Sequence, residues 1–150
     1  MRIVIQRVSS AMVQSEGELK GEIEHGMLIL LGIEHEDKKE DADWLIKKII
    51  GLRIFNDEEG KMNLNCKDIG GQFLVISQFT LHASVKKGNR PSYIKSARPD
   101  VAIPLYQYFI DSLEKNSGTK VETGEFGADM KVALINDGPV TISIDSKNKE

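Results

Sequence analysis

The chain has 150 residues, 40% of them hydrophobic and 29% charged, with a net charge of −3. This length fits one compact domain, residues 1–150, with a sizeable core and little room for a second, and the mild acidity argues against a protein that coats DNA or RNA through a broad basic surface. No stretch approaches the roughly 20 apolar residues of a membrane span, the opening Met1-Arg2-Ile3-Val4-Ile5 lacks the features of a signal peptide, and the single cysteine, Cys66, excludes an internal disulfide, so the expected location is the cytoplasm. Residues 2–8 are rich in β-branched side chains, residues 11–14 continue in the same style, and Ser15-Glu16-Gly17-Glu18 reads as a turn. Residues 27–31 form an unbroken apolar run, as expected of a strand covered on both faces.

After a polar loop, Ala42, Leu45, Ile46 and Ile49 recur at helical spacing, with acids ahead of them and Lys47 and Lys48 late in the segment. Arg53-Ile54-Phe55 reads as a strand ending in the turn at residues 56–60, and Gly70-Gly71 introduces the strongest strand, residues 73–79. A second helix is expected from near Asp100, with Leu105, Tyr108, Phe109 and Leu113 as its buried stripe, Pro104 in or near its first turn and Asn116-Ser117-Gly118 as its stop. Val121 opens a further strand. Val132 and Leu134, then Val140, Ile142 and Ile144, alternate with polar or small residues around Asp137-Gly138, an ordinary hairpin signal made awkward by Pro139, which has no N–H for a ladder. The expected fold is of the α/β class in its α+β form: a mixed, mostly β, sheet-based domain with two main helices.

Two segments stand out, Ser77-Gln78-Phe79-Thr80-Leu81 and Asn136-Asp137-Gly138-Pro139-Val140-Thr141. Strand alternation puts Ser77 and Phe79 on one face and Gln78, Thr80 and His82 on the other, so Ser77 and Thr80 converge only if the strand bends or ends between them. Taken alone, the first segment is a core strand whose hydroxyls satisfy neighbouring backbone. From 84 to 99 there are five basic residues, Lys86, Lys87, Arg90, Lys95 and Arg98, and no acidic one. This segment reads either as a solvated loop or as a small phosphate-contacting patch suited to the end of an RNA.

Together the two segments resemble the signature motifs of the D-aminoacyl-tRNA deacylases, and the resemblance extends along the chain through residues 1–8, Leu52-Arg53-Ile54-Phe55, residues 60–64 and residues 123–130. It implies a homodimeric deacylase fold acting on aminoacyl-tRNA at the 3′-terminal adenosine and its attached D-amino acid, without cofactor or metal. It further implies that Gly138 and Pro139 form a Gly-cisPro backbone wall projecting into the partner's site, that Ser77, Gln78, Phe79 and Thr80 are catalytic, and that Phe126, Gly127, Ala128, Asp129 and Met130 lie near the amino acid or the adenosine. Phe126 and Met130 read equally well as core residues. A backbone wall excludes one enantiomer by collision, yet the same device admits glycine, so glycyl-tRNA is an implied second substrate.

Thr80 is the tempting nucleophile and His82 the tempting base. The family usually carries an aromatic residue at the position of His82, however, and an unactivated threonine hydroxyl is a poor nucleophile. Catalysis by positioning remains, with donors around Gln78, Phe79 and Thr80 holding the ester carbonyl and the neighbouring ribose 2′-hydroxyl taking part in proton transfer, as the resemblance implies. The three histidines make no metal-ligand spacing with Cys66, which reads as incidental, and no phosphate cradle of the Walker or dinucleotide type is present. Asp57, Glu58 and Glu59 sit together in a turn and serve solubility. The competing reading is a non-catalytic RNA-binding module of the same fold; a general esterase would need a Gly-x-Ser-x-Gly elbow, which is missing.

Overall fold

The computed structural model describes all residues, 1–150. Strand β1 (Arg2–Ser15) organises the sheet. One of its edges is shared, the first half pairing antiparallel with β3 (Gly26–Gly32) and the second half with β2 (Glu18–Ile23), while the other edge pairs along its length with β8 (Met130–Asp145). Beyond β3 the sheet continues in parallel through β6 (Gln72–Ser77) to β7 (Val121–Thr123), which curls back toward β2 and nearly closes a barrel. A small ribbon of β4 (Phe55–Asn56) and β5 (Met62–Leu64) lies apart from it.

The apolar run of β3 is covered on both faces, as its composition predicts. Met27, Ile29 and Leu31 join the main core of 23 buried residues under the two helices, and Leu28 joins a smaller cluster with Val8, Val13, Leu74 and Ile76. Helix α1 (Lys39–Gly51) buries Ala42, Leu45, Ile46 and Ile49, the four residues its periodicity selects. Helix α2 (Pro99–Ser117) ends at Gly118, whose φ of 73° lies in the left-handed region.

Two expectations need correction. The buried stripe of α2 runs through Tyr106 and Ile110, whereas Tyr108 sits on its flank and donates a 2.8 Å hydrogen bond to Asp43 Oδ1. Pro104 lies just past the first turn of α2, which starts at Pro99, on an exposed face. Asp137-Gly138 is no hairpin: both halves of β8 pair with the same strand in the same direction, Thr141 with Gln6 and Asn136 with Val8. The chain does not reverse, and residues 137–140 bulge out of the ladder opposite Arg7.

Candidate active site

Strand β6 pairs with β3 as far as Ser77 opposite Leu31, and Gln78 N–H adds one more bond to Leu31 O at 2.8 Å. The strand then stops, and Phe79–His82 form a single 3-10 turn closed by Leu81 N–H to Gln78 O at 3.2 Å and Ala83 N–H to Thr80 O at 3.0 Å. The expected strand 73–79 therefore ends two residues early, and the chain bends between Ser77 and Thr80. Phe79 and Thr80 head the turn, so their N–H groups have no acceptor within it.

Gly32 permits this arrangement. A Cβ at Gly32 would come within 3.0 Å of Gln78 O, Leu81 Cβ and His82 Cδ2, so only a glycine lets the turn pack this closely on β3. From the other side Arg2 donates through Nη1 to Leu81 O at 2.7 Å while its Nε and Nη2 grip Asp145 Oδ2.

The turn opens onto a pocket of about 240 Å³ with a largely apolar lining. Ser77, Gln78 and Phe79 line it together with Phe126, Gly127, Ala128 and Asp129 from the loop between β7 and β8 and Met130 at the start of β8; Leu31, Ile33, Ile76, Ala97, Ala102 and Val132 complete it. Phe126 packs against the Tyr106 ring at 5.5 Å, and Tyr106 is tied to Val75 O by a 2.9 Å hydrogen bond, with burial pushing its hydroxyl far above the ordinary tyrosine range. Phe126 and Met130, equally readable as core residues, are half-buried pocket walls.

Thr80 does not line the pocket itself. Its Oγ1 accepts a short hydrogen bond from Gln78 Nε2. His82 does not serve Thr80: its ring is buried, Nδ1 lies 3.5 Å from Glu34 Oε2, and Nε2 is buried with no hydrogen-bond partner. Cys66 is buried away from the pocket lining, and burial pushes its thiol up to about 12, consistent with a structural residue. Nowhere do three His, Cys, Asp or Glu side chains gather as a metal site would require.

Gly138 and Pro139 lie outside this pocket and are exposed, joined by a cis peptide bond with Gly138 at φ 131°. Sequence reasoning missed what holds them. The Arg7 guanidinium, itself buried, donates to Asp137 O at 3.0 Å and to Ile54 O at 2.7 Å, and Asn136 Nδ2 spans the bulge to Arg7 O at 3.1 Å and Val140 O at 3.0 Å. A signal existed: alternation places Arg7 on the face of Ile3 and Ile5, the buried one, and a charge there demands partners.

The chain has close relatives over its whole length. Residues 4–145 match the family model described as D-Tyr-tRNA(Tyr) deacylase. The D-aminoacyl-tRNA deacylase of Phocaeicola vulgatus is 65% identical over 150 residues and that of Flavobacterium johnsoniae 61%, each alignment covering 100% of both chains. Among solved structures, one titled c-Myc DNA Unwinding Element Binding Protein superposes with a TM-score of 0.90 at 38% identity, covering 97% of this chain and 98% of that one. A probable eukaryotic D-amino acid tRNA deacylase shares the fold, with a TM-score of 0.82 at 15% identity. With a family model matched from strand β1 to the end of β8 and relatives above 60% identity, this chain belongs to the D-Tyr-tRNA(Tyr) deacylase family.

Proposed function

We propose a division of labour for the deacylation of D-aminoacyl-tRNA, the activity that family membership brings to this chain. The pocket between the Ser77–Phe79 side and the Phe126–Met130 loop receives the D-amino acid and the terminal adenosine. Water adds to the ester carbonyl carbon, the developing oxyanion is held by the free N–H groups of Phe79 and Thr80, and collapse expels the ribose oxygen of tRNA, leaving free D-amino acid. The 2′-hydroxyl of the same ribose carries the proton to the leaving oxygen, which makes RNA rather than DNA the substrate.

One observation carries the positioning role of Thr80. Its Oγ1 accepts from Gln78, so the hydroxyl keeps its own proton and presents it as a donor, and no base stands ready to remove it. Ser77, half-buried at the strand end, brings a hydroxyl to the pocket wall itself.

The chiral filter is assigned to Gly138 and Pro139 acting in a second copy's pocket. Their exposure, their separation from their own pocket and their clamping by Arg7 and Asn136 support that reading, as does the unpaired outer edge of β8, a ready surface for pairing two copies into a homodimer. A rigid wall of backbone rejects an L-side chain by collision and accepts D-residues and glycine, giving a cytoplasmic proofreading hydrolase in translation quality control. No helix here is long and apolar enough to cross a membrane.

The test is paired hydrolysis of D-tyrosyl-, L-tyrosyl- and glycyl-tRNA by the purified protein. Loss of the D and glycyl esters with the L ester intact is expected. Equal loss of D and L esters would overturn the filter, and a folded protein that hydrolyses none of them would leave the non-catalytic RNA-binding reading.

A further inference from the structure

We propose that the lobe at residues 84–92, next to the active turn, is a seat for the phosphates of the single-stranded 3′ end of tRNA, with Lys86, Lys87 and Arg90 as its contacts. The inference rests on the deacylase reading and adds to it where the rest of the substrate lies. The lobe is a closed structure: Ser84 and Ser92 exchange reciprocal backbone hydrogen bonds of 2.8 and 2.9 Å, which pinch its base, and Gly88 at φ 102° turns its tip. Its far limb is fastened to the active turn. Tyr93 packs edge-on against the Phe79 ring at 5.0 Å, Ser96 Oγ donates to Phe79 O at 3.0 Å, and Ala97 is itself a pocket wall.

The charge of the lobe is unusual for this molecule. Net charge is −3, yet residues 84–99 hold five basic residues and no acidic one. Elsewhere acids are interspersed with the cations, and Arg2, Arg7, Lys20, Lys61, Lys120, Lys131 and Lys147 meet carboxylates. Lys86, Lys87 and Arg90 are exposed and form no ion pair with this chain.

Unpaired cations crowded on a pinned lobe repel one another, and a polyanion relieves that repulsion. The reach is suitable. Lys87 follows Thr80 by seven positions, so chain length alone keeps the basic tip within about 25 Å of Thr80, a span that covers the few unpaired nucleotides behind the terminal adenosine. The exposed Phe79 and Tyr93 rings between tip and pocket offer an unstacked base a face to lie on.

The experiment uses the whole protein and two readouts. Fluorescence anisotropy follows binding of an uncharged RNA hairpin ending in a single-stranded ACCA tail, across a salt series; hydrolysis follows KM and kcat for D-tyrosyl-tRNA. Three phosphate contacts predict a slope of log affinity against log salt steeper by about 2 in the wild type than in K86E/K87E/R90E, with binding at least about tenfold weaker in the variant. The KM for D-tyrosyl-tRNA should rise by a similar factor with little change in kcat, while a charge-matched control, K47E/K67E/K115E, should keep wild-type affinity. A lobe variant with wild-type slope and affinity, or one no worse than the control, overturns the proposal. Failure of the deacylase reading is distinct: a wild type that binds the hairpin through the lobe but hydrolyses no D-ester would sink that reading and leave the RNA seat standing.

Discussion

Arg7 holds Asp137 twice, donating from Nε to its backbone carbonyl at 3.0 Å and facing its carboxylate Oδ2 at 3.3 Å. The guanidinium thereby fixes the base of the bulge from which Gly138 and Pro139 project. It is a fork serving three groups at once, including Ile54 O and Asn56 Oδ1, and an ammonium cannot reproduce that geometry. Arg7→Lys should lower kcat/KM for D-tyrosyl-tRNA and cost on the order of 1–3 kcal/mol of stability, since buried carbonyls lose their donors. Thermal melting and steady-state kinetics on one preparation separate the two effects; unchanged values in both would remove Arg7 from the argument.

Gly138 is the residue most tightly constrained by that clasp. A Cβ there would lie 2.8 Å from Val140 Cγ2 and 3.0 Å from Arg7 Nη2, in a backbone conformation that L side chains rarely adopt. Gly138→Ala should therefore displace the bulge and either relax the preference for D- over L-tyrosyl-tRNA or weaken substrate binding. Full retention of affinity and enantioselectivity would contradict the wall.

The proposed mechanism gives Thr80 a positioning role and no nucleophilic one. Thr80→Ala removes the side-chain hydroxyl and keeps the backbone N–H assigned to the oxyanion, so it should slow turnover by less than the roughly 10²–10³ typical of losing an oxyanion donor and leave a measurable rate. Rapid-quench trapping of an aminoacyl ester on Thr80 in the wild type would refute this mechanism.

The proposed mechanism gives His82 a packing role and no part in proton transfer. Its Nε2 is buried without a partner, a condition that costs stability, and an aromatic ring of similar size has no such orphan. His82→Phe should keep kcat/KM within about threefold and hold or raise the melting temperature. A collapse of kcat with folding intact would reinstate the histidine as a catalytic group.

Acid stability should carry the signature of Asp41. Burial would raise its pKa, but hydrogen bonds from the Lys147 ammonium and the Lys38 backbone N–H outweigh that and bring it from the ordinary 3.8 down to about 2. A carboxylate with a depressed folded-state pKa stabilises the fold above its unfolded value and ceases to do so as pH falls through the folded one. The wild type should thus lose this increment between pH 4 and 2, whereas Asp41→Asn, less stable at neutral pH by on the order of 1 kcal/mol after solvent screening, should show a flatter acid limb. Denaturant midpoints measured across that range decide it; parallel curves would remove Asp41 from the pH dependence.

Local periodicity made part of this molecule readable in advance. Ala42, Leu45, Ile46 and Ile49 declared the buried stripe of α1 because a helix repeats every 3.6 residues whatever surrounds it, and the apolar run at 27–31 declared a strand covered on both faces for the same local reason. Ser77, Gln78, Phe79, Phe126, Ala128 and Met130, picked out by resemblance, line one pocket, whereas Thr80, Gly138 and Pro139 do not.

What local pattern could not convey was partnership between distant segments. Asp137-Gly138 carries the residues of a hairpin, yet β8 runs straight on because β1 offers it a full-length edge, and hydrogen bonds to that edge outweigh the turn preference of two residues. Tyr106 lies on the same helical face as Ala102, Leu105, Phe109 and Leu113, and what the sequence could not show is the Val75 O that satisfies its buried hydroxyl. Residue types and periodicities set the helices and most strands; long-range pairing decided where β6 stops, where Gly138 and Pro139 stand, and that buried Arg7 holds them there, because those outcomes depend on contacts between residues up to 130 positions apart.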